Sequence, residues 1–390
     1  MRLGLVLVGI TLALVPAQAA TPKLQRGVAV HLAFDGIRFN LEQEVSEARH
    51  VAHAGFDFVR LTVDPYFYLH LSDERKIDKM NASVLAAVHA YETQGLRVVI
   101  DFHAIPKGQN REMGSGEYAA DAAQFANYTS SAANLAEAIE KDGIAQRAFE
   151  PFNEPTLDCV TLSLRWPALA LKLHAQVRKA APKLTLVMEG GCWGGAEGLV
   201  ALSPDAFHDP NIIWSFHDYA PMLFTHQGAG WVAGPPHYAV GLPFPPNTQA
   251  REAALIESLL KLGQSNHSPE QQSTKENEQR QAINDYFAPG KVNAEMRGPF
   301  TKVAHWAHTH HLPPDKILLG EFGVIQGTSG AQPDIKSRSA YLRNQRMAVE
   351  GQGWAWAVWE WHGSFGINAP GTEMLMDPVL GTALGLPAKH

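Results

Sequence analysis

Two acidic residues stand out for the company they keep. Glu154 lies in the string AFEPFNEPTLD, between Asn153 and Pro155, at the end of a stretch with the composition of a β-strand. Glu321 lies in KILLGEFGV, again where a leucine-rich run stops. A lone carboxylate at a strand end is ordinarily structural or solvated. Two that flank one gap can do chemistry: one, kept protonated, donates to a departing oxygen, while the other, ionised, meets the positive carbon left behind. Cleavage of a glycosidic bond needs such a pair, in surroundings that push the two pKa values apart.

Something must carry these side chains to one place. After the first twenty residues the sequence alternates short runs rich in β-branched and aromatic residues with longer segments of helical spacing. The strand candidates are residues 27–33, 56–64, 96–103, 148–155, 184–191, 211–221, 316–324 and 353–361. Between them, LEQEVSEARHVAHAG places Leu41, Val45, Ala48, Val51 and Ala52 on one stripe and stops at Gly55. Further helical segments fall at 121–141, 163–181, 297–311 and 337–349. Eight strands with helical crossovers predict an α/β fold, the (β/α)₈ or TIM barrel. An open doubly wound sheet is disfavoured, since no Gly-x-Gly-x-x-Gly follows the first strand. The rhythm breaks once, in a long insertion after strand six, residues 222–292. Its Gly/Pro/aromatic half, with Phe224, His226 and Trp231, is expected over a cleft, and its polar half, SNHSPEQQSTKENEQRQ, reads as mobile.

Catalytic groups of such a barrel stand where its strands end. Arg60, His103, Asn153, Glu154, His217, Tyr219, Glu321 and Trp359 occupy those positions. Period-two alternation sets Ile213, Ser215, His217 and Tyr219 on one face, Ile317, Leu319 and Glu321 on another, and Ala355, Ala357, Trp359 and Trp361 on a third, all directed inward. Arg60 and the Tyr219 hydroxyl are placed to hold Glu321 as an anion, although Arg60 also has Glu150 as a possible partner. Asn153 suits a sugar 2-hydroxyl, and Trp359 offers an apolar platform for a ring.

With those residues in place the sequence resembles glycoside hydrolase family 5, over nearly all of the chain after its leader. NEP at Asn153–Pro155 and GEFG at Gly320–Gly323 match the family's acid/base and nucleophile motifs. VRL at 59–61, DFH at 101–103, FHDY at 216–219 and VWEWHGSFGI at 358–367 match the other blocks in order. The resemblance implies Glu154 as general acid/base and Glu321 as nucleophile of a retaining mechanism. It also implies Arg60, His103, Asn153, His217, Tyr219 and Trp359 as positioning residues, with no metal or organic cofactor. Strand one departs from the pattern, reading GVAVHLA with His31 where many members carry an asparagine. The family's range makes an endo-β-1,4-glucanase the expectation, with β-mannanase or exo-β-1,3-glucanase as alternatives. Two other classes compete: an inactive carbohydrate-binding protein on the same barrel, and a metal-dependent hydrolase using His103 and His217.

The bulk numbers agree with an enzyme of neutral ligands. Of 390 residues, 45% are hydrophobic and 18% charged, a globular composition, and the net charge of −7 comes with no basic run. Nucleic acid and anionic membranes are therefore disfavoured as partners, leaving a polysaccharide or oligosaccharide. Residues 1–19 read as an export signal, with Arg2, an apolar run to Val15 and the Ala17-Gln18-Ala19 site. The expected product is an extracellular or periplasmic monomer consisting of one catalytic domain, residues 20–390, with no membrane attachment once the signal is removed. Cys159 and Cys192 form a disulfide or remain two buried thiols; the sequence leaves both open.

Overall fold

In the computed structural model, eight parallel strands pair in chain order and the last closes on the first. The structure describes residues 21–35, 38–71, 73–104, 115–159, 165–326, 333–369, 371–372 and 374–386, so the expected leader lies outside the described residues. The strands are β1 (Arg26–His31), β2 (Phe58–Val63), β3 (Arg97–Phe102), β4 (Arg147–Glu150), β5 (Thr185–Glu189), β6 (Ile212–His217), β7 (Ile317–Phe322) and β8 (Ala355–Val358). Each is shorter than its sequence pattern. Arg60, His217 and Glu321 lie within their strands, whereas His103, Asn153, Glu154, Tyr219 and Trp359 follow theirs in irregular backbone. Among the described residues no helix is long and apolar enough to cross a membrane.

The core has two parts because each strand has two faces. Inside the barrel, Phe58, Val99, Ala148, Val187, Ile213, Leu318, Ala355 and Ala357 form one small cluster. Their neighbours along the strands, such as Val59, Val98, Phe149, Leu186, Trp214 and Trp356, pack outward against the helices in a much larger cluster. The one bulky interior residue, Phe58, exists at a neighbour's expense: a Cβ on Gly27 would sit 2.3 Å from its ring.

Alternation misplaces part of β7. Ile317 and Leu319 face the helices, and Leu318 faces inward. Glu321 nevertheless reaches the interior because β7 carries an extra residue: its pairing with β6 steps from Phe216↔Leu319 to His217↔Glu321. Gly320 occupies the bulge, where a Cβ would lie 2.4 Å from Ser215 Oγ. On the β8 side Trp361 turns away from the mouth and packs edge-on against Phe56, with ring centroids 6.3 Å apart.

The segment after β6 also differs from expectation. It contains short helices Met222–Thr225 and Pro235–Tyr238 and longer ones at Arg251–Gly263 and Pro269–Phe287, ahead of Lys291–Thr309. The polar string read as mobile is the fourth of these four. Ser268 and Gln271 cap it reciprocally, Pro269 starts it, and Ile283, Tyr286 and Phe287 bury its C-terminal side. Phe224 is not over a cleft but buried against Phe244 and Tyr341.

Cys159 and Cys192 are joined, tying the loop after β4 to the loop after β5. The Cys192 and Trp193 N–H groups donate to Leu157 O at 2.7 Å and Pro155 O at 3.0 Å, so the two loops form one body. The 33-residue separation of the cysteines sets the stabilisation at about 3–4 kcal/mol if loop entropy dominates. Replacing both by serine is expected to lower the urea-unfolding free energy by that amount without changing far-UV circular dichroism. An unchanged midpoint would show the bridge to be dispensable.

Candidate active site

Buried ion pairs build the site from the barrel axis upward. Arg60, in the middle of β2, is fully buried. Its Nε and Nη2 donate to Glu150 at 2.7 and 2.9 Å, a bidentate pair. Nη2 also donates to Asn153 Oδ1 at 2.8 Å, and Nη1 to Glu321 Oε1 at 2.7 Å. Asp101 Oδ2 lies 3.1 Å from Nη2 and 2.6 Å from His103 Nδ1. Asn153 is thereby fixed through its oxygen, while its Nδ2 has only long contacts, 3.4 Å to His103 Nε2 and 3.5 Å to Ala104 O.

Glu321 is held at both oxygens, by Arg60 and by the Tyr219 hydroxyl, which donates at 2.8 Å. Glu154 follows β4 with φ of 44°, a left-handed conformation that costs a non-glycine residue on the order of 1–3 kcal/mol. Its own N–H donates to Glu189 Oε2 at 2.9 Å, which anchors that turn. Its carboxyl meets His217 Nδ1 at 2.8 Å, and the same nitrogen is 3.6 Å from Glu321. The facing oxygens of Glu154 and Glu321 lie within 4.8 Å of each other, with His217 beneath both. Glu154 is the more open of the two, its side chain 18% exposed against 5% for Glu321.

The surroundings split the pair. Burial, the largest influence, pushes Glu154 up; the His217 bond pulls it back, the charge of Glu321 adds to the rise, and the balance lies above the usual carboxylate range. Burial pushes Glu321 the same way. There the positive charges of His217, Arg60 and His103 and the Tyr219 bond outweigh it, leaving Glu321 below that range. His103 is raised because Asp101 overcomes the effect of burial. The arrangement therefore favours the proton on Glu154 over Glu321. His217 forms trios with metal-ligand spacing, with Glu150 and Glu189 below and with Glu154 and Glu321 above. Its two nitrogens already face Glu189 at 2.5 Å and Glu154 at 2.8 Å, so we read the trios as an ion-pair network.

Trp359, just past β8, is partly buried at the mouth. The His103 ring lies parallel to it at 5.2 Å, and His31 meets it edge-on at 5.3 Å. His31, the departure on strand one, ties β1 to its neighbours: Nε2 lies 2.5 Å from Glu360 Oε2 and Nδ1 2.7 Å from Thr62 Oγ1. Trp193 and Trp231, on the loops after β5 and β6, are 45% and 49% exposed.

All eight rim residues singled out from the sequence meet at one end of the barrel. Asp101 and Glu189 were missed, and Glu150 was considered only as a partner for Arg60. A signal existed, because each lies two residues beyond an inward apolar residue, respectively Val99, Val187 and Ala148.

A closed (β/α)₈ barrel with two opposed carboxylates at the C-terminal ends of β4 and β7 is the architecture of the barrel glycosidases. The sequence profile of the family described as Cellulase (glycosyl hydrolase family 5) matches residues 25–364. The chain belongs to that family. It is 25% identical over 348 residues to Endoglucanase 3 of Fibrobacter succinogenes, covering 85% of this chain and 48% of that one. It is 28% identical over 192 residues to Cellodextrinase A of Ruminococcus flavefaciens, covering 48% and 54%. The chain thus spans about half the length of each of these two relatives. Among solved structures, Thermotoga maritima Cel5A in complex with mannotriose superimposes with a TM-score of 0.64 at 21% identity, covering 93% of this chain and 97% of that one. At that identity the likeness concerns the fold.

The split is measurable directly. With carboxyl-¹³C-labelled glutamate, Glu321 is expected to titrate below Glu154. Tyr219→Phe removes one hydrogen bond to the charged form, worth about 1.5–3 kcal/mol, and should raise Glu321 by about one to two units. A wild-type Glu321 that titrates above Glu154 would contradict the assignment.

Proposed function

We propose that the protein is a retaining β-glycosidase, exported from the cell, that hydrolyses β-1,4-glucan chains internally. The observation that carries this reading is the approach of the Glu154 and Glu321 carboxylates to within 4.8 Å. Retaining glycosidases set the two groups about 5–5.5 Å apart, whereas about 6.5–9.5 Å is needed to seat a water between them. Glu321, kept ionised, attacks the anomeric carbon, and Glu154 gives its proton to the departing oxygen. The carbon–oxygen bond to the leaving sugar breaks as the bond to Glu321 forms. Glu154, now a carboxylate, takes a proton from water, whose oxygen displaces Glu321 and restores the starting state. Tyr219 and Arg60 keep the nucleophile oriented, the weakly held Asn153 Nδ2 meets a sugar hydroxyl, and Trp359 stacks beneath the reacting ring. The exposed indoles of Trp193 and Trp231 extend the cleft along the chain. The names of the relatives, an endoglucanase and a cellodextrinase, support a β-glucan over other polymers.

Purified polysaccharides assayed by reducing sugar and viscosity test the substrate. A rapid viscosity drop on soluble β-1,4-glucan is expected, and sole activity on β-mannan or β-1,3-glucan would reassign it. Glu321→Ala should abolish turnover of an activated aryl glycoside, with azide restoring activity. Glu154→Ala should spare the first step with good leaving groups and slow poor ones by about 10²–10⁴-fold. Equal losses on both would contradict the role of Glu154.

A further inference from the structure

Beneath the proton donor lies a carboxylate that the steps above leave unused. Glu189, at the end of β5, is 1% exposed and belongs to none of the motif blocks that carry the family resemblance. Its Oε2 accepts the Glu154 N–H at 2.9 Å. Its Oε1 accepts the Ser215 hydroxyl at 3.1 Å and pairs with His217 Nε2 at 2.5 Å. The space around it is closed, since a Cβ on Gly194 would come within 2.8 Å of Oε2. One residue therefore grips the backbone of Glu154 and, through one imidazole, faces the carboxyls of both Glu154 and Glu321.

Anchoring these two groups does not require a charge: a glutamine oxygen could accept the Glu154 N–H while its amide donates to the Ser215 oxygen. A fully buried anion is costly unless a cation compensates it. Here the compensating cation is His217. We propose that Glu189 is a positioning residue that acts through His217, keeping the imidazole doubly protonated with its Nδ1–H directed between Glu154 and Glu321. The inference rests on the hydrolase reading for its kinetic consequence but not for its structural one.

The charges around this unit come from every neighbouring strand. Glu189 faces His217 and Ser215 on β6, Glu154 after β4, Glu150 on β4 and Arg60 on β2. His217 in turn faces Glu154 and Glu321, with Tyr219, Asp101 and His103 beyond. Burial alone would raise Glu189, yet His217, Arg60 and the Glu154 N–H bring it down to about 2. His217 is pushed well up despite burial, first by Glu189 and then by Glu321. Without the Glu189 charge, burial favours the neutral imidazole. Glu321 then loses its strongest stabilising cation and holds its proton to higher pH. For Glu154 the two losses oppose each other, since Glu189 raises it and charged His217 lowers it.

The test is the pH profile of kcat/KM for Glu189→Gln against wild type on an activated aryl β-glycoside. The acidic limb, which reports ionisation of Glu321 in the free enzyme, should move up by about one unit, with roughly a tenfold loss at the optimum. Glu189→Asp, which keeps the charge, should return the limb toward its wild-type position. A folded Glu189→Gln enzyme with an unmoved acidic limb overturns the proposal, whatever its rate. Should that variant not fold, ¹⁵N-imidazole NMR of the wild type decides: His217 should be doubly protonated at pH 7, and a neutral ring there overturns the idea. If wild type hydrolyses no glycoside, the hydrolase reading fails, and the same NMR result still judges the Glu189–His217 pair.

Discussion

The site hangs on a guanidinium that has no access to water. A buried Arg60 is tolerable only if its charge is compensated and its donors are directed at fixed acceptors. Those acceptors are Glu150, Asn153 and Glu321, with Asp101 beside them. Because they come from β3, β4 and β7 and from the turn after β4, the demand for ion pairing fixes the relative heights of strands that are far apart in sequence. Arg60 and Glu321 are 261 residues apart in the chain. The same interaction places Glu321 and orients the Asn153 amide next to Glu154.

The barrel explains why such a layer forms here. Its lower interior is filled by small and medium apolar side chains with one aromatic, a dry floor with no capacity to solvate charge. One step up each strand the inward positions turn polar: Arg60 above Phe58, Asp101 above Val99, Glu150 above Ala148, Glu189 above Val187 and Ser215 above Ile213. A charged layer over an apolar floor experiences a low dielectric, so its members must satisfy one another. Five acids, Asp101, Glu150, Glu154, Glu189 and Glu321, share three basic groups, Arg60, His103 and His217. The acids outnumber the cations by two, so a dry layer disfavours ionising every carboxyl; burial raises both Glu150, deep in the layer, and Glu154, which stands nearer to solvent. The contrast between a raised Glu154 and a lowered Glu321 follows from where the cations stand.

Much of this was legible in the sequence. Strand number, barrel closure and the gathering of the eight rim residues follow from hydrophobic period and from the rule that functional groups sit at strand ends. Four features escaped that reading, three of them for a physical reason. The bulge at Gly320 shifts the parity of β7, so Ile317 and Leu319 face outward while Glu321 still faces in; a single glycine gives no local warning of an extra residue. The helix Pro269–Phe287 has too few apolar residues for a periodic stripe, and its only announcement was the Ser268–Gln271 capping box. The acids below the rim were hidden by habit rather than by chemistry, since alternation from Val99, Ala148 and Val187 points straight to them. The pairing of Cys159 with Cys192 depends on two loops meeting in space, which spacing along a chain does not encode.

The central claim is that a bare carboxylate and a protonated one face each other too closely for a water to stand between them. The stereochemistry of the first product tests it most directly. ¹H NMR during the first minutes of hydrolysis of a β-linked oligosaccharide should show the β-anomer of the new reducing end appearing first, with the α-anomer growing in only by mutarotation. An α-anomer that appears first would mean direct attack by water, and the account of this site would be wrong.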